Sequence, residues 1–351
     1  MNIDLPAGTR NYSYAQDMAV FRTRTHWALF AALLVVLFTT PLYWGSYWLG
    51  VLNLIGITII AATGLNILVG YCGQLSIGHA GFIAVGSYTS AVLTTRFGVP
   101  FLAAMLCAGV TAGLVGMIFG IPSLRVKGFY LAISTIAAQF IIIWVINHWT
   151  ELTGGFLGMA VAPASVAGMA LVSQARQFYL IIPTTIAAVY AAKNLARTRV
   201  GRAFVAVRDN DLAAEVMGIN LFRYKLLAFF IGCFLAGIAG SLFAHWVGFV
   251  NAENFTLTDS ILYVGMIIIG GLGTAVGPIF GVLFIRLLQQ GVTFVSPILE
   301  TAFALPAGFT TGIGPMLFGL AIVLFLVLEP RGLAHRWQLF KASYRLWPFS
   351  Y

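Results

Sequence analysis

Charge is what this chain has least of. Only 8% of its 351 residues are Asp, Glu, Lys or Arg, against roughly 25% in an ordinary soluble domain. Hydrophobic residues make up 60% and mean hydropathy is +0.95, so a soluble domain is excluded and an integral membrane chain is implied. Acid is scarcest: the ten Asp and Glu residues fall in loops or at the ends of apolar runs. A proton-driven carrier needs carboxylates within its spans, and this scarcity counts against one; sodium coupling through backbone carbonyls stays open. The four lysines (Lys127, Lys193, Lys225, Lys341) never follow a glycine, which excludes the Gly-x-x-x-x-Gly-Lys-Ser/Thr loop that cradles ATP phosphates. Cys72, Cys107 and Cys233 lie in apolar runs and form no Cys-x-x-Cys pair. They read as small buried hydrophobes, with neither a disulfide framework nor a metal site. No Ser-His-Asp set or His-Glu-x-x-His motif occurs; an enzyme is disfavoured, and no catalytic residue, metal or cofactor is expected.

What the chain does have is long apolar runs. Its length holds about ten spans of about 20 residues, and the expected fold is an all-α integral membrane protein of about 8–10 transmembrane helices. The runs cover 27–43, 48–69, a segment ending near Thr95, 99–124, 129–149, 178–192, 226–249, 261–288 and 312–328. Tyr43, Trp44, Tyr47 and Trp48, next to Pro41, mark an interfacial turn. Arg22 and Arg24 precede the first run with no small-residue cleavage site behind it, so that run reads as a signal anchor. Asn251, Glu253 and Asp259 read as one loop. The run after it carries Gly270, Gly271, Gly273, Gly277 and Pro278, which predicts a break, because Gly-Pro inside a helix frees backbone groups. The break sets Arg286 near mid-membrane, at a cost of at least about 2.5–3.5 kcal/mol unless it faces protein or water.

Orientation follows from basic residues. With the first segment inside, sixteen of the nineteen Lys and Arg residues lie on the cytoplasmic side; Arg96 and Arg176 fall outside and Arg286 between. The positive-inside rule thus predicts a cytoplasmic segment 1–26, a transmembrane domain 27–332 with a cytoplasmic loop 193–225, and a cytoplasmic tail 333–351. The net charge of +9 records this asymmetry and the lipid around the chain; nucleic acid is no partner.

Two stretches depart from the apolar background. Nine of the 29 charged residues lie between Arg197 and Lys225. Within that loop, Arg208 to Gly218 has the parts of a short helix. Asp209 or Asn210 caps its start, Ala213, Ala214 and Met217 favour helix, Leu212 and Val216 share a face, and Gly218 suits a left-handed C-terminal cap. A helix this short is unstable alone in water, so it rests on the chain's own helix ends or docks on a partner. The second stretch, residues 70–86, carries Gly70, Gly73, Gly78, Gly81 and Gly86 with Gln74, Ser76 and His79. Small residues permit close helix packing or a broken helix lining a pathway; both readings stand. Thr153-Gly154-Gly155 is a turn by default or the rim of an outer mouth. Cys107, His148 and His245 read as structural or interfacial.

Residues 66–82 (Asn-Ile-Leu-Val-Gly-Tyr-Cys-Gly-Gln-Leu-Ser-Ile-Gly-His-Ala-Gly-Phe), Leu-Thr-Gly-Gly at 152–155, the segment 201–220 and Gly-Gly-Leu-Gly-Thr-Ala-Val-Gly-Pro at 270–278 together resemble the LivM-type permeases of branched-chain amino acid ABC importers. The likeness runs over about residues 45–332 and departs from the family pattern at Phe156-Leu157-Gly158. It implies a permease paired with a second, homologous permease, two cytoplasmic ATP-binding subunits and an extracytoplasmic substrate-binding protein, in the bacterial inner membrane. The glycine-rich stretch, with its costly buried polar side chains, makes Gly70, Gly73, Gln74, Ser76, Gly78, His79 and Gly81 the candidate substrate pathway. The likeness also implies an ATPase-coupling segment at Gly201, Arg202, Arg208, Asp209, Asn210, Asp211, Ala214, Glu215 and Gly218. Related permeases carry urea, amides or aromatic compounds, so the likeness leaves the substrate open. Competing readings are a self-sufficient channel or ion-coupled carrier, and a scaffold or receptor without transport.

Overall fold

A computed structural model describes residues 24–302 and 313–346, apart from positions 125, 127, 167 and 330. Residues 1–23 of the expected N-terminal segment, the markers Arg125 and Lys127, residues 303–312 and the last five residues of the tail lie outside the described residues. The helices are α1 (Arg24–Tyr43), α2 (Ser46–Asn66), α3 (His79–Thr95), α4 (Phe101–Gly120), α5 (Phe129–His148), α6 (Gln174–Arg197), α7 (Arg199–Asp209), α8 (Asp211–Val216), α9 (Leu221–Val247), α10 (Leu257–Gly270), α11 (Gly277–Ala302), α12 (Ile313–Leu328) and α13 (Leu333–Leu346). Among the described residues, seven helical stretches are long and apolar enough to cross a membrane, or up to eight if the bent pair α12–α13 is one span. The chain is a multi-pass all-α membrane protein. The end carrying α7 and α8 is called the charged end below.

The centre is α9, packed on α2, α3 and α4. Lipid is as apolar as leucine, so tails alone do not drive helices together; close backbone approach does. On α4, Gly109, Gly113, Gly116 and Gly120 form a groove that receives Phe234, Phe230, Cys233 and Phe229 of α9. A Cβ at Gly109 or Gly113 would come within 2.8 Å of those rings. The opposite face of α4 (Leu102, Leu106, Val110, Leu114, Ile118) is exposed at a spacing of four, as a lipid-facing stripe is. Polar pairs add specificity between α3 and α9: Ser241 Oγ donates to Ser90 Oγ at 2.8 Å, and Ser90 Oγ lies 3.1 Å from His245 Nε2. His245 Nδ1 is 2.8 Å from the Ala162 carbonyl. A carbonyl only accepts, so Nδ1 carries the proton and Nε2 accepts from the serine.

Two helices begin inside the bundle rather than at its ends. After α2 the chain makes a π-helical turn, Ile67–Tyr71, and turns back through Cys72–Gly78 to start α3 at His79. His79 sits beside Ala61, about 15 Å along the bundle from Tyr71 at 1.5 Å per residue. From the other end, β2 (Phe249–Val250) pairs antiparallel with β1 (Met159–Ala160). The chain then dips inward through residues 251–256 to start α10 beside the middle of α5. The non-helical backbone on these approaches is satisfied by side chains, as burial away from water demands. Thr135 Oγ1 accepts from Ile77 N–H at 3.0 Å, Gln139 Nε2 donates to the Phe255 carbonyl at 3.1 Å, and Ser260 Oγ accepts from Ala80 N–H at 2.9 Å.

The expected break in 261–288 is present: α10 ends at Gly270 and α11 starts at Gly277. Arg286 is ten residues into α11 and half-buried against Thr58. Three expectations are corrected. Asp259 is not in a loop but in the first turn of α10, where it forms a capping box with Thr256. Cys107 is exposed on the outer face of α4, whereas Cys72 and Cys233 are buried. Arg208 and Asp209, at the head of the expected short helix, instead close α7; the short helix itself is α8, which begins after Asn210, one of its two expected caps. The cause is local. Asn210 is extended (φ −158°, ψ 105°) and its side chain accepts from Ala213 N–H, so it ends one helix and caps the next. At 152–155 the turn reading fits: Thr153 Oγ1 donates to the Ile146 carbonyl at 2.6 Å and accepts from Gly155 N–H.

Candidate functional site

The glycine-rich stretch is a packing surface along most of its length. A Cβ on Gly70 would overlap Asn66 and the Gly273 backbone, one on Gly78 would overlap the Thr135 carbonyl, and one on Gly81 would press within 3.1 Å of Gln139. Gly73 alone is exposed, at φ +69°, with Arg208 against it. Gln74 is buried and donates to the Cys72 carbonyl at 3.2 Å; its Oε1 and the Ser76 Oγ are buried with no hydrogen-bond partner among the described residues. His79 is fully buried, with Nε2 2.9 Å from the Ala61 carbonyl. That carbonyl fixes the proton on Nε2 and leaves Nδ1 a buried acceptor without a partner among the described residues.

The charged segment is built as an amphipathic ledge. Thr198 ends α6 and caps α7, accepting from Gly201 N–H. A side chain at Gly201 would overlap the last turn of α6, so this corner accepts no side chain. From α7, Ala203, Phe204 and Val207 are buried, while Arg202, Arg208 and Asp209 are exposed. α8 rests on Ala214, which is 3% exposed. It is tied back by Asp211, whose Oδ2 lies 3.8 Å from Nζ of Lys225, a lysine almost wholly buried at the head of α9. It ends in a Schellman motif: Ile219 N–H donates to Ala214 O, Gly218 N–H donates to Glu215 O, and Gly218 takes φ +84°. The opposite side of α8 presents Leu212, Val216 and Met217 at 68%, 87% and 82% exposure, with Glu215 among them.

The two stretches meet. Arg208 Nη1 donates to the Gly70 carbonyl at 2.9 Å, while its other nitrogens hold Asp209. Gly70 in turn lies against Gly273, in the turn between α10 and α11. Asn66 clamps that turn from both sides: Oδ1 accepts from Gly273 N–H and Nδ2 donates to the Thr274 carbonyl, each at 2.9 Å. A pocket of about 290 Å³ at the charged end is lined by Gly73 and Gln74 from one stretch and Arg208, Asp209, Asn210 and Asp211 from the other. Gly70, Ser76, Gly78, His79 and Gly81 do not line it, nor do Gly201, Arg202, Ala214, Glu215 and Gly218. The sequence reading missed Asn66. Its only signal was a polar residue within an apolar run.

No group of three or more His, Cys, Asp or Glu residues able to hold a metal comes together among the described residues. Broken spans meeting inside a helical bundle, with polar side chains at the breaks, define a membrane permease rather than an enzyme. The chain belongs to the family described as "Branched-chain amino acid transport system / permease component", whose profile matches residues 47–326. It is a permease subunit of an ATP-binding cassette importer. It is 31% identical over 326 residues to the high-affinity branched-chain amino acid transport system permease protein LivM of Escherichia coli K12, covering 86% of this chain and 73% of that one. It is 24% identical to the probable branched-chain amino acid transport permease protein LivM of Methanocaldococcus jannaschii, over 79% and 90%. It is 28% identical to the autoinducer 2 import system permease protein LsrC of an Enterobacter species, over 65% and 63%. No solved structure matches.

Proposed function

We propose that this permease carries branched-chain or related hydrophobic amino acids, and that α8 with its flanking residues receives the motion of ATP-hydrolysing partners. The observation that carries the coupling reading is the asymmetry of α8. One side is fixed to the bundle by Ala214 and the Asp211–Lys225 pair, and the other offers Leu212, Val216 and Met217 to solvent. A six-residue helix held this way has the form of a key for a partner's groove. The Arg208–Gly70 bond gives a displaced ledge a direct grip on the break between α2 and α3. Gly73 and Gln74 are assigned to the cytoplasmic mouth of the pathway; Gly70, Ser76, Gly78, His79 and Gly81 set the packing of the hinge behind it. Gly201, Arg202, Glu215 and Gly218 shape the ledge and its exposed rim.

The partners in this reading are a second, homologous permease, two ATP-binding subunits and an external binding protein. The setting is the bacterial inner membrane, with both termini in the cytoplasm. Support comes from the relatives' names, from the 31% identity and from the excess of basic residues at the charged end. The test is uptake of radiolabelled leucine into proteoliposomes. The complete importer concentrates leucine only with ATP and the binding protein. Robust uptake by the permease alone would overturn the proposal in favour of a self-sufficient carrier.

A further inference from the structure

A second set of polar groups, not used above, lines a cavity of about 300 Å³ between α2, α3, α9, α10 and α11. This is within the range of small-molecule pockets, about 300–1,000 Å³. It reaches from Thr58 and Ala80, midway along the bundle, to Val247 and Asn254 at the end opposite the charged loop. Its polar lining is Thr58, Asn254, Asp259, Tyr263, Arg286 and Gln289, and its apolar wall includes Ile57, Ile83, Phe243, Phe255 and Met266.

The two charges are opposite and attract each other across the cavity, but they form no direct ion pair. Arg286 Nε and Nη2 donate to Thr58 Oγ1 at 3.3 and 3.0 Å, and Nη1 donates to Gln289 Oε1 at 2.9 Å. A guanidinium carries five N–H donors, so two remain without a described partner. No ion pair among the described residues includes Arg286. Asp259 uses Oδ2 for Thr256, while Oδ1 has no partner among the described residues. Both side chains are half-buried. Holding an arginine midway along a membrane bundle is costly unless it serves a purpose or a partner, and here the fixed neighbours, Thr58 and Gln289, are neutral. The first turn of α3 reaches the same cavity at Ala80, and a helix N-terminus adds positive potential there.

We infer that this cavity is a binding station for a free, zwitterionic hydrophobic amino acid, with Arg286 taking the carboxylate, Asp259 the ammonium, and the apolar wall the side chain. The inference rests on the substrate class proposed above. One anion-binding fork, one carboxylate and an aliphatic–aromatic wall match that class, in which both charges sit on one carbon beside an apolar group. A neutral or purely anionic solute would leave one of the two charges unmatched, and charged groups left unpaired are what discriminate against analogues.

The test uses the permease–ATPase complex without its binding protein, with Leu262→Cys placed in the cavity wall and Cys107→Ala removing the exposed thiol. Alkylation by N-ethylmaleimide is timed in the presence of leucine, leucinol (no carboxylate) or 4-methylpentanoate (no ammonium). Leucine slows the reaction. Each single-charge analogue needs about ten- to a hundredfold more for the same protection, the fold-change expected for one lost hydrogen-bonded charge contact. Arg286→Gln shifts leucine protection by the same factor and Arg286→Lys by less, while a melting temperature of the purified complex close to that of the parent shows that the permease is folded. Equal protection by all three compounds, or none by leucine in a complex that imports leucine, would overturn the site. An importer that moves no hydrophobic amino acid would instead overturn the substrate reading.

Discussion

Arg208, next to last in α7, donates to the carbonyl of Gly70, 138 residues earlier in the chain, at 2.9 Å. This one bond joins the charged ledge to the break in the second span. A hydrogen bond to a charged group contributes about 1.5–3 kcal/mol, enough to transmit a push without locking the bundle. Arg208→Ala is expected to leave membrane insertion and ATP hydrolysis by the assembled importer in place and to cut leucine moved per ATP hydrolysed. Parallel assays of uptake and phosphate release check it; an unchanged ratio would remove Arg208 from the coupling route.

The Asp211–Lys225 pair is nearly buried, with side chains 18% and 4% exposed. Breaking one partner of such a pair costs about 3–5 kcal/mol because the other charge is stranded, whereas replacing both is far milder. Lys225→Met should therefore lower the melting temperature of the purified complex more than Lys225→Met combined with Asp211→Asn. A melting series in detergent reads this directly.

On the exposed side of α8, Glu215→Arg or Val216→Glu should abolish transport without reducing the amount of permease in the membrane, since neither side chain is buried. Gly218→Arg adds a backbone penalty, because φ +84° costs a non-glycine residue roughly 1–2 kcal/mol. Immunoblots of membranes beside uptake rates separate docking from folding. Normal transport in all three variants would sink the docking surface.

Asn66 holds the α10–α11 turn by two bonds of 2.9 Å each. Asn66→Leu leaves Gly273 N–H and the Thr274 carbonyl without those partners, at about 1–3 kcal/mol each. The expected result is faster hydrogen exchange at 271–276 and lower transport, with the α4–α9 contact unaltered. Gly113→Val acts oppositely. It overpacks the groove under Phe230 and should reduce the amount of folded permease while sparing exchange at the turn.

How far the sequence led is seen best at particular residues. Scarce charge, apolar runs and the spread of Lys and Arg are additive properties, so the helical membrane class was readable from them. Gly270 to Pro278 marked the α10–α11 break because glycine and proline act locally. Asn210 and Gly218 were readable as the two caps of α8 because cap chemistry is local, whereas nothing in the sequence marked Arg208 and Asp209 as the last turn of a separate helix, α7. Asp259 was counted as loop because the inward dip of residues 251–256 is set by Gln139 and Ser260, more than a hundred residues apart in the chain. The glycines of 70–86 gave close packing without naming its partners, since Thr135 and Gly273 are distant in sequence. The cavity around Arg286 stayed hidden for that reason: its polar lining comes from α2, α10 and α11 and the approach to α10.

The two helices that start inside the bundle set a length scale for whatever moves within it. Cys72–Gly78 leads into α3 from the charged end, and residues 251–256 lead into α10 from the other. An extended residue advances about 3.3 Å and a helical one 1.5 Å. Each residue wound onto the start of α3 from an extended lead-in would therefore shorten that lead-in by about 1.8 Å, whereas the lead-in to α10 is already wound into a 3-10 turn at Ala252–Asn254. Thr135, Gln139 and Ser260 are the stops that define the resting count. With those bonds in place, the start of each helix is fixed by side chains on other helices and not by the length of its own lead-in.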